Sequence, residues 1–106
     1  PLRDEADPEE VAGILSSFRG EPQRRKLPTA PNQPILVRTE PNRPQPLLDV
    51  NAGEPRRARG MAATVGRIRV TGRNLRLFVL SHNTLRGGAG GSVLNAELAH
   101  RRCYLV

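Results

Sequence analysis

The stretch of this chain best suited to chemistry runs Ser81-His82-Asn83-Thr84-Leu85-Arg86-Gly87-Gly88-Ala89-Gly90-Gly91-Ser92-Val93-Leu94-Asn95-Ala96-Glu97-Leu98. It reads as a strand end passing through a glycine-rich loop into a helix. Glycines let backbone N–H groups approach a ligand closely, and a helix amino terminus carries partial positive charge, so such a turn can hold a phosphate or an amide. The spacing matches neither the Gly-x-Gly-x-x-Gly dinucleotide fingerprint nor a phosphate loop ending in Gly-Lys-Ser/Thr, and glycine-rich helix starts also serve tight packing. Both uses stay open on spacing alone. The lone Cys103 can form no internal disulfide and has no Cys neighbours for a metal cluster, so no metal ligand is assigned.

Several elements must position that turn. Leu75 to Leu80 is the densest apolar run, with Leu75, Leu77 and Val79 on one face and Phe78 and Leu80 on the other, which predicts a strand covered on both sides. Met61 to Val70 alternates as a strand does, Val65, Arg67 and Arg69 opposing Ile68 and Val70. Joined by Thr71-Gly72-Arg73-Asn74, the two make an antiparallel hairpin. Near the amino end, Asp7-Pro8-Glu9-Glu10 is a helix start: the Asp carboxylate caps, Pro suits the first turn and the acids complement the dipole. The helix is predicted to run to about Arg19, with Val11, Ile14, Leu15 and Phe18 on one stripe docked on an apolar surface and Gly20 as a left-handed stop. From Glu21 to Pro46 seven prolines leave only Ile35-Leu36-Val37-Arg38 as a short strand. Asn51-Ala52-Gly53 reads as a turn, and Glu54 to Arg59 as a solvated, Arg-rich excursion. Residues 21–59 are thus a Pro/Arg-rich extended connection within a single partial domain, 1–106, ordered against a larger partner surface.

Composition narrows the function classes. At 106 residues, 37% hydrophobic, one domain with a modest core is the ceiling. Phe18, Phe78 and Tyr104 are the whole aromatic complement, against ten Gly and ten Pro. The formal charge of +7 is local: up to Val50 there are eight acids and seven bases, and beyond it two acids and ten bases. Sixteen of the seventeen bases are Arg, which suits bidentate contacts to phosphate or carboxylate but equally follows from a GC-rich coding sequence. Arg56-Arg57-Ala58-Arg59 lacks the aromatic platforms that nucleic-acid modules interleave among their bases, so no dedicated nucleic-acid role is expected. No apolar run is long enough for a bilayer span and no signal-peptide plan opens the chain, so a cytoplasmic protein without a membrane partner is expected. An initiating Met is absent, which points to a piece of something longer.

The order of motifs is diagnostic. Leu27-Pro28-Thr29-Ala30-Pro31, Pro34-Ile35-Leu36-Val37-Arg38, Arg43-Pro44-Gln45-Pro46, Gly60-Met61, Val65-Gly66-Arg67-Ile68-Arg69, Ser81-His82-Asn83-Thr84 and Ser92 to Leu98 occur in sequence. Over roughly residues 10–99 this resembles the carboxyl-terminal part of aspartate-semialdehyde dehydrogenase, in its archaeal and fungal branch. The resemblance implies an α+β or α/β piece, an antiparallel sheet with an amino-terminal amphipathic helix and a carboxyl-terminal helix. Such a piece is a partial dimerisation domain of the glyceraldehyde-3-phosphate-dehydrogenase-like type.

It further implies reduction of aspartyl phosphate to the semialdehyde with NADP as cofactor, bound mainly by a missing amino-terminal nucleotide-binding domain. The full-length protein would be a homo-oligomer, dimer or tetramer. The family's nucleophilic Cys, acid/base His and substrate Arg lie upstream, so Cys103, His82 and His100 correspond to none of them and no catalytic residue is assigned here. The piece is expected to be inactive alone. In relatives the Asn of the His-Asn-Thr motif lies near the nicotinamide end of the cofactor, which makes Asn83 either a ligand contact or a helix cap. Arg86 is either a phosphate contact or a solvated cation, Gly87 and Gly88 would admit backbone to the cofactor, and His82 is read as a packing histidine. Malonyl-CoA reductases look like this family too, and a retained dimerisation module without chemistry is the reading from another class. Two departures stand out: Gly87-Gly88-Ala89-Gly90-Gly91 replaces the family's Gly-Ala-Ala-Gly-Ala, each exchange costing a helix about 0.5–1 kcal/mol, and Glu54 to Arg59 is longer than the usual turn.

Overall fold

The computed structural model describes residues 1–104. The first helix, α1 (Pro8–Ser17), begins as the sequence dictates: the Asp7 carboxylate accepts from the Glu9 N–H and Pro8 occupies the first turn. Its end differs. Phe18 leaves the helix in extended geometry, and Gly20 is no left-handed stop; with φ −102° it opens a second short helix, α2 (Glu21–Arg24), where the Gln23 side chain accepts from the Gly20 N–H. Of the apolar stripe, Val11 is buried, while Ile14 and Phe18 remain 63% and 52% exposed, so α1 docks through only part of that face.

Three strands form one sheet in the order β1 (Ile35–Val37), β2 (Ala63–Thr71), β3 (Asn74–Leu80). The expected antiparallel hairpin is present, turning at Gly72 and Arg73, and β1 adds to it in parallel, Ile35 opposite Ala63 and Val37 opposite Val65. The sheet is therefore mixed rather than wholly antiparallel. The alternation expected along β2 breaks at a bulge between Gly66 and Arg69, where Arg67 takes a left-handed φ of 53° and lays its guanidinium 4.9 Å from the Phe78 ring centre. Nor is β3 covered on both sides: it is an edge strand, with Phe78 and Val79 each close to 60% exposed.

Between β1 and β2 the chain is more structured than its prolines suggest. Pro46–Asp49 forms a helical turn, α3, and Arg56–Ala58 a tight 3₁₀ turn whose Ala58 is fully buried. Arg57 Nε donates to the Pro28 carbonyl at 2.6 Å, so the Arg-rich excursion is tied down rather than solvated along its length. The main core joins Leu27, Ala30, Ala58 and Met61 to Leu94 of the last helix, α4 (Gly90–Arg101). The Thr29 backbone and hydroxyl both donate to Glu97, fastening Leu27–Pro31 to the same helix. The radius of gyration is 15.2 Å, against about 13 Å for a compact domain of this length, and the extents of 50 × 32 × 18 Å describe a slab with open faces. No helix among the described residues is long and apolar enough to cross a membrane.

Glu21 closes the slab by joining α2 to the end of α4. Arg102 donates to both of its carboxylate oxygens and Arg25 Nε to one of them at 2.7 Å, which together hold its carboxyl down at about 2. A depressed carboxyl stabilises the fold above its ordinary value of 4.5 and loses that contribution only as pH falls towards 2. A carbon-13 titration is expected to place the Glu21 midpoint near 2, and Arg102→Gln to move it back up; a midpoint unmoved by that change would remove the link.

Candidate functional site: the turn between β3 and α4

The glycine-rich turn starts where β3 ends. The Gly87 N–H donates to the His82 carbonyl at 3.2 Å and the Ala89 N–H to the Thr84 carbonyl at 2.9 Å, both spanning five residues. These bonds make a wide turn over Leu85–Ala89, broken by Gly88 at φ −137°, ψ −110°, before α4 begins. Widened turns of this kind concentrate at functional sites. The helix amino terminus has no side-chain cap.

His82 does more than pack. Its Nδ1 accepts from the Leu85 N–H at 3.1 Å and lies 3.2 Å from the Thr84 hydroxyl, so the ring caps the turn itself. With His82 in that role, the capping alternative for Asn83 falls away: its side chain is exposed and makes no hydrogen bond to a described residue. Beside it, a Cβ at Gly87 would meet only Asn83 Oδ1, at 3.6 Å, and one at Gly88 only the Asn83 carbonyl, at 3.7 Å. The space before both glycines is open.

Arg86 is exposed, has no carboxylate partner among the described residues, and lines a cleft of about 330 Å³ with Phe18, Ile35, Met61 and Leu94. The structure thus gathers Asn83, Arg86, Gly87 and Gly88 on one turn, with Gly88 half-buried at its kink. Cys103 is an exposed free thiol beyond α4, and the described residues contain no group of side chains able to hold a metal ion.

The glycines that follow pack rather than bend. A Cβ at Gly90 would stand 2.4 Å from Met61 Sδ and 2.9 Å from the Leu85 carbonyl, and one at Gly91 2.6 Å from the Arg86 carbonyl. Gly90, a glycine in the family pattern as well, seats the turn on Met61; of the two exchanged positions, Gly91 is held against the Arg86 carbonyl and Gly88 has open space.

A second polar constellation escaped the sequence reading. Arg43 Nε donates to Asp49 Oδ2 at 2.8 Å, Arg43 Nη2 donates to Oδ1, and the Gln45 N–H donates to Oδ2 at 2.7 Å. Asp49 is 5% exposed. The Arg43 guanidinium holds its carboxyl below the usual aspartate range, and burial opposes that only in part. Spacing offered no sign of this clamp, because a loop brings the pair together across Arg43-Pro44-Gln45-Pro46.

Comparison with known proteins places this arrangement. No family model matches the chain. The malonyl CoA reductase (NADP) of Metallosphaera sedula is 46% identical over 105 residues, 98% of this chain and 29% of that protein. An aspartate-semialdehyde dehydrogenase of Archaeoglobus fulgidus is 59% identical over 73 residues, 68% of this chain and 20% of that protein. Among solved structures, aspartate semialdehyde dehydrogenase with NADP from Candida albicans superposes with a TM-score of 0.79 at 33% identity, over 97% of this chain and 28% of that one. The chain spans less than a third of the length of these relatives. Shared sequence over most of its length, and a shared fold, establish that the chain belongs to the aspartate-semialdehyde dehydrogenase family of archaeal and fungal type.

Proposed function

We propose that the chain is the carboxyl-terminal part of an NADP-dependent aspartate-semialdehyde dehydrogenase, which reduces aspartyl phosphate to the semialdehyde together with an amino-terminal nucleotide-binding domain, as a homo-oligomer. The observation that carries this reading is identity of up to 59% to aspartate-semialdehyde dehydrogenases, joined to the fold of the NADP-bound fungal enzyme. The turn fits such a cofactor: Asn83 offers an unengaged amide and Gly87 and Gly88 leave room before the backbone. When bound, the dinucleotide supplies the hydride. This chain's residues bind and orient: the Asn83 amide meets a carboxamide or ribose hydroxyl, Arg86 a phosphate, and His82 holds the turn in shape. A malonyl-CoA-reducing relative is the second reading, favoured by the 46% identity over nearly the whole chain to the Metallosphaera enzyme.

The intact polypeptide from its own cells is expected to reduce NADP with aspartate semialdehyde only when phosphate is present. Activity with malonyl-CoA and NADPH alone would select the second reading. In that polypeptide Asn83→Ala is expected to raise KM for NADPH about tenfold, the loss of one good polar contact, with the unfolding midpoint unchanged. An unchanged KM would remove Asn83 from the cofactor site.

A further inference from the structure

Bordering the Arg86 cleft at Gln23 and Pro31, a second cleft of about 440 Å³ opens between the α1–α2 connection and the Arg-rich excursion. Four cations line it, Arg19, Arg24, Lys26 and Arg57, over a buried apolar floor of Leu27 and Ala30, and no acid is among its lining residues. Four other arginines are held in ion pairs: Arg25 and Arg102 with Glu21, Arg38 with Glu40, and Arg43 with Glu40 and Asp49. None of the four cleft cations has a carboxylate partner among the described residues. Glu21 sits on the same short helix as Arg24, yet turns to Arg25 and Arg102 instead.

The guanidiniums are also held in place. Arg19 Nη1 donates to the Phe18 and Ser16 carbonyls at 2.7 and 3.0 Å, Arg24 Nη1 to the Arg19 carbonyl at 3.3 Å, and Arg57 Nε to the Pro28 carbonyl at 2.6 Å. Each bond uses one corner of a five-donor fork and leaves the others for an acceptor. Lys26, the chain's sole lysine, joins them from a left-handed position at φ 51°, where α2 stops and where glycine is the relaxed choice. Like charges gathered around one concavity repel unless an anion offsets them, and the volume falls in the range of small-molecule sites.

We infer that this cleft binds a phosphate ester of nucleotide size, the phosphate on the Arg19, Arg24, Arg57 and Lys26 donors and the apolar body on Leu27 and Ala30. It shares none of its cations with the β3–α4 turn, and AMP taken up by the proposed amino-terminal nucleotide-binding domain is told apart because that binding does not respond to substitution of Arg57 or Lys26. The test titrates the intact polypeptide, without substrate and at constant ionic strength, with inorganic phosphate, AMP and polyglutamate. Saturable binding of AMP, tighter than that of phosphate, is expected, weakened about tenfold by Arg57→Gln and by Lys26→Gly, the loss of one charge-assisted contact in each. Lys26→Gly relieves the left-handed backbone, so it tests the site in a protein at least as stable as the original. No saturation by AMP, affinities unchanged in Lys26→Gly, or polyglutamate binding tighter than AMP would each overturn the assignment.

Discussion

Asp49→Ala is expected to cost about 1–3 kcal/mol of folding stability, because it leaves the part-buried Arg43 guanidinium with only Glu40 as a carboxylate partner and frees the Gln45 N–H as well. Small domains hold only about 5–15 kcal/mol in all, so such a loss takes a large share of the fold. Chemical denaturation of wild type and variant measures it. A shift below 1 kcal/mol with unchanged m-value would show that the clamp is solvated in solution. The pH dependence carries the same interaction. Arg43 depresses the Asp49 carboxyl from its ordinary 3.8, so the stabilisation is complete above that value and drains away as pH falls through the lowered one. Asp49→Asn is expected to flatten stability in that acid window, and a curve identical to wild type there would assign acid sensitivity to other carboxylates.

The clamp also shows where sequence reading stops. Local signals were legible: the Asp7 cap, the Pro8 helix start, the hairpin turning at Gly72, and the short strand at Ile35–Val37 all follow from backbone chemistry within a few residues. What depends on contacts across the chain was not. Gly20 looked like a helix stop, yet Gln23 and Pro22 recruit it as the start of α2. Phe78 and Val79 looked buried on periodicity, but burial needs a covering layer, and β3 is an edge. An apolar run states what a strand wants, while the neighbouring elements decide what it gets.

At the site the same division holds. Motif order located the turn, and Asn83, Arg86, Gly87 and Gly88 do share it. Which of His82 and Asn83 would cap could not be read from spacing, since both precede Leu85 and both carry an acceptor. The geometry gives the task to His82 Nδ1 and leaves Asn83 facing outward. Likewise the cations of the basic cleft are scattered from Arg19 to Arg57, and their convergence depends on the fold of the proline-rich connection, which composition described only as extended.

Gly53→Ala is the second large effect, expected to destabilise by about 2–6 kcal/mol, strain and overpacking contributing comparably. Gly53 sits at φ 138°, and a Cβ there would stand 2.2 Å from the Ala58 carbonyl oxygen, a backbone atom with little freedom to yield. Next to it, the Ala52 carbonyl accepts from both the Gly60 and Ala62 N–H groups, so this turn fixes the start of β2 and the Gly60-Met61 seat beneath the site. Gly72 supplies the control. It too has a left-handed φ, 60°, but open space around it, so Gly72→Ala carries backbone strain alone, about 1–2 kcal/mol. Equal losses at the two glycines would mean that the close approach of Ala58 is absent in solution. A markedly larger loss at Gly53, with cofactor affinity falling alongside it, would show that the Arg-rich excursion is anchored to support the β3–α4 turn.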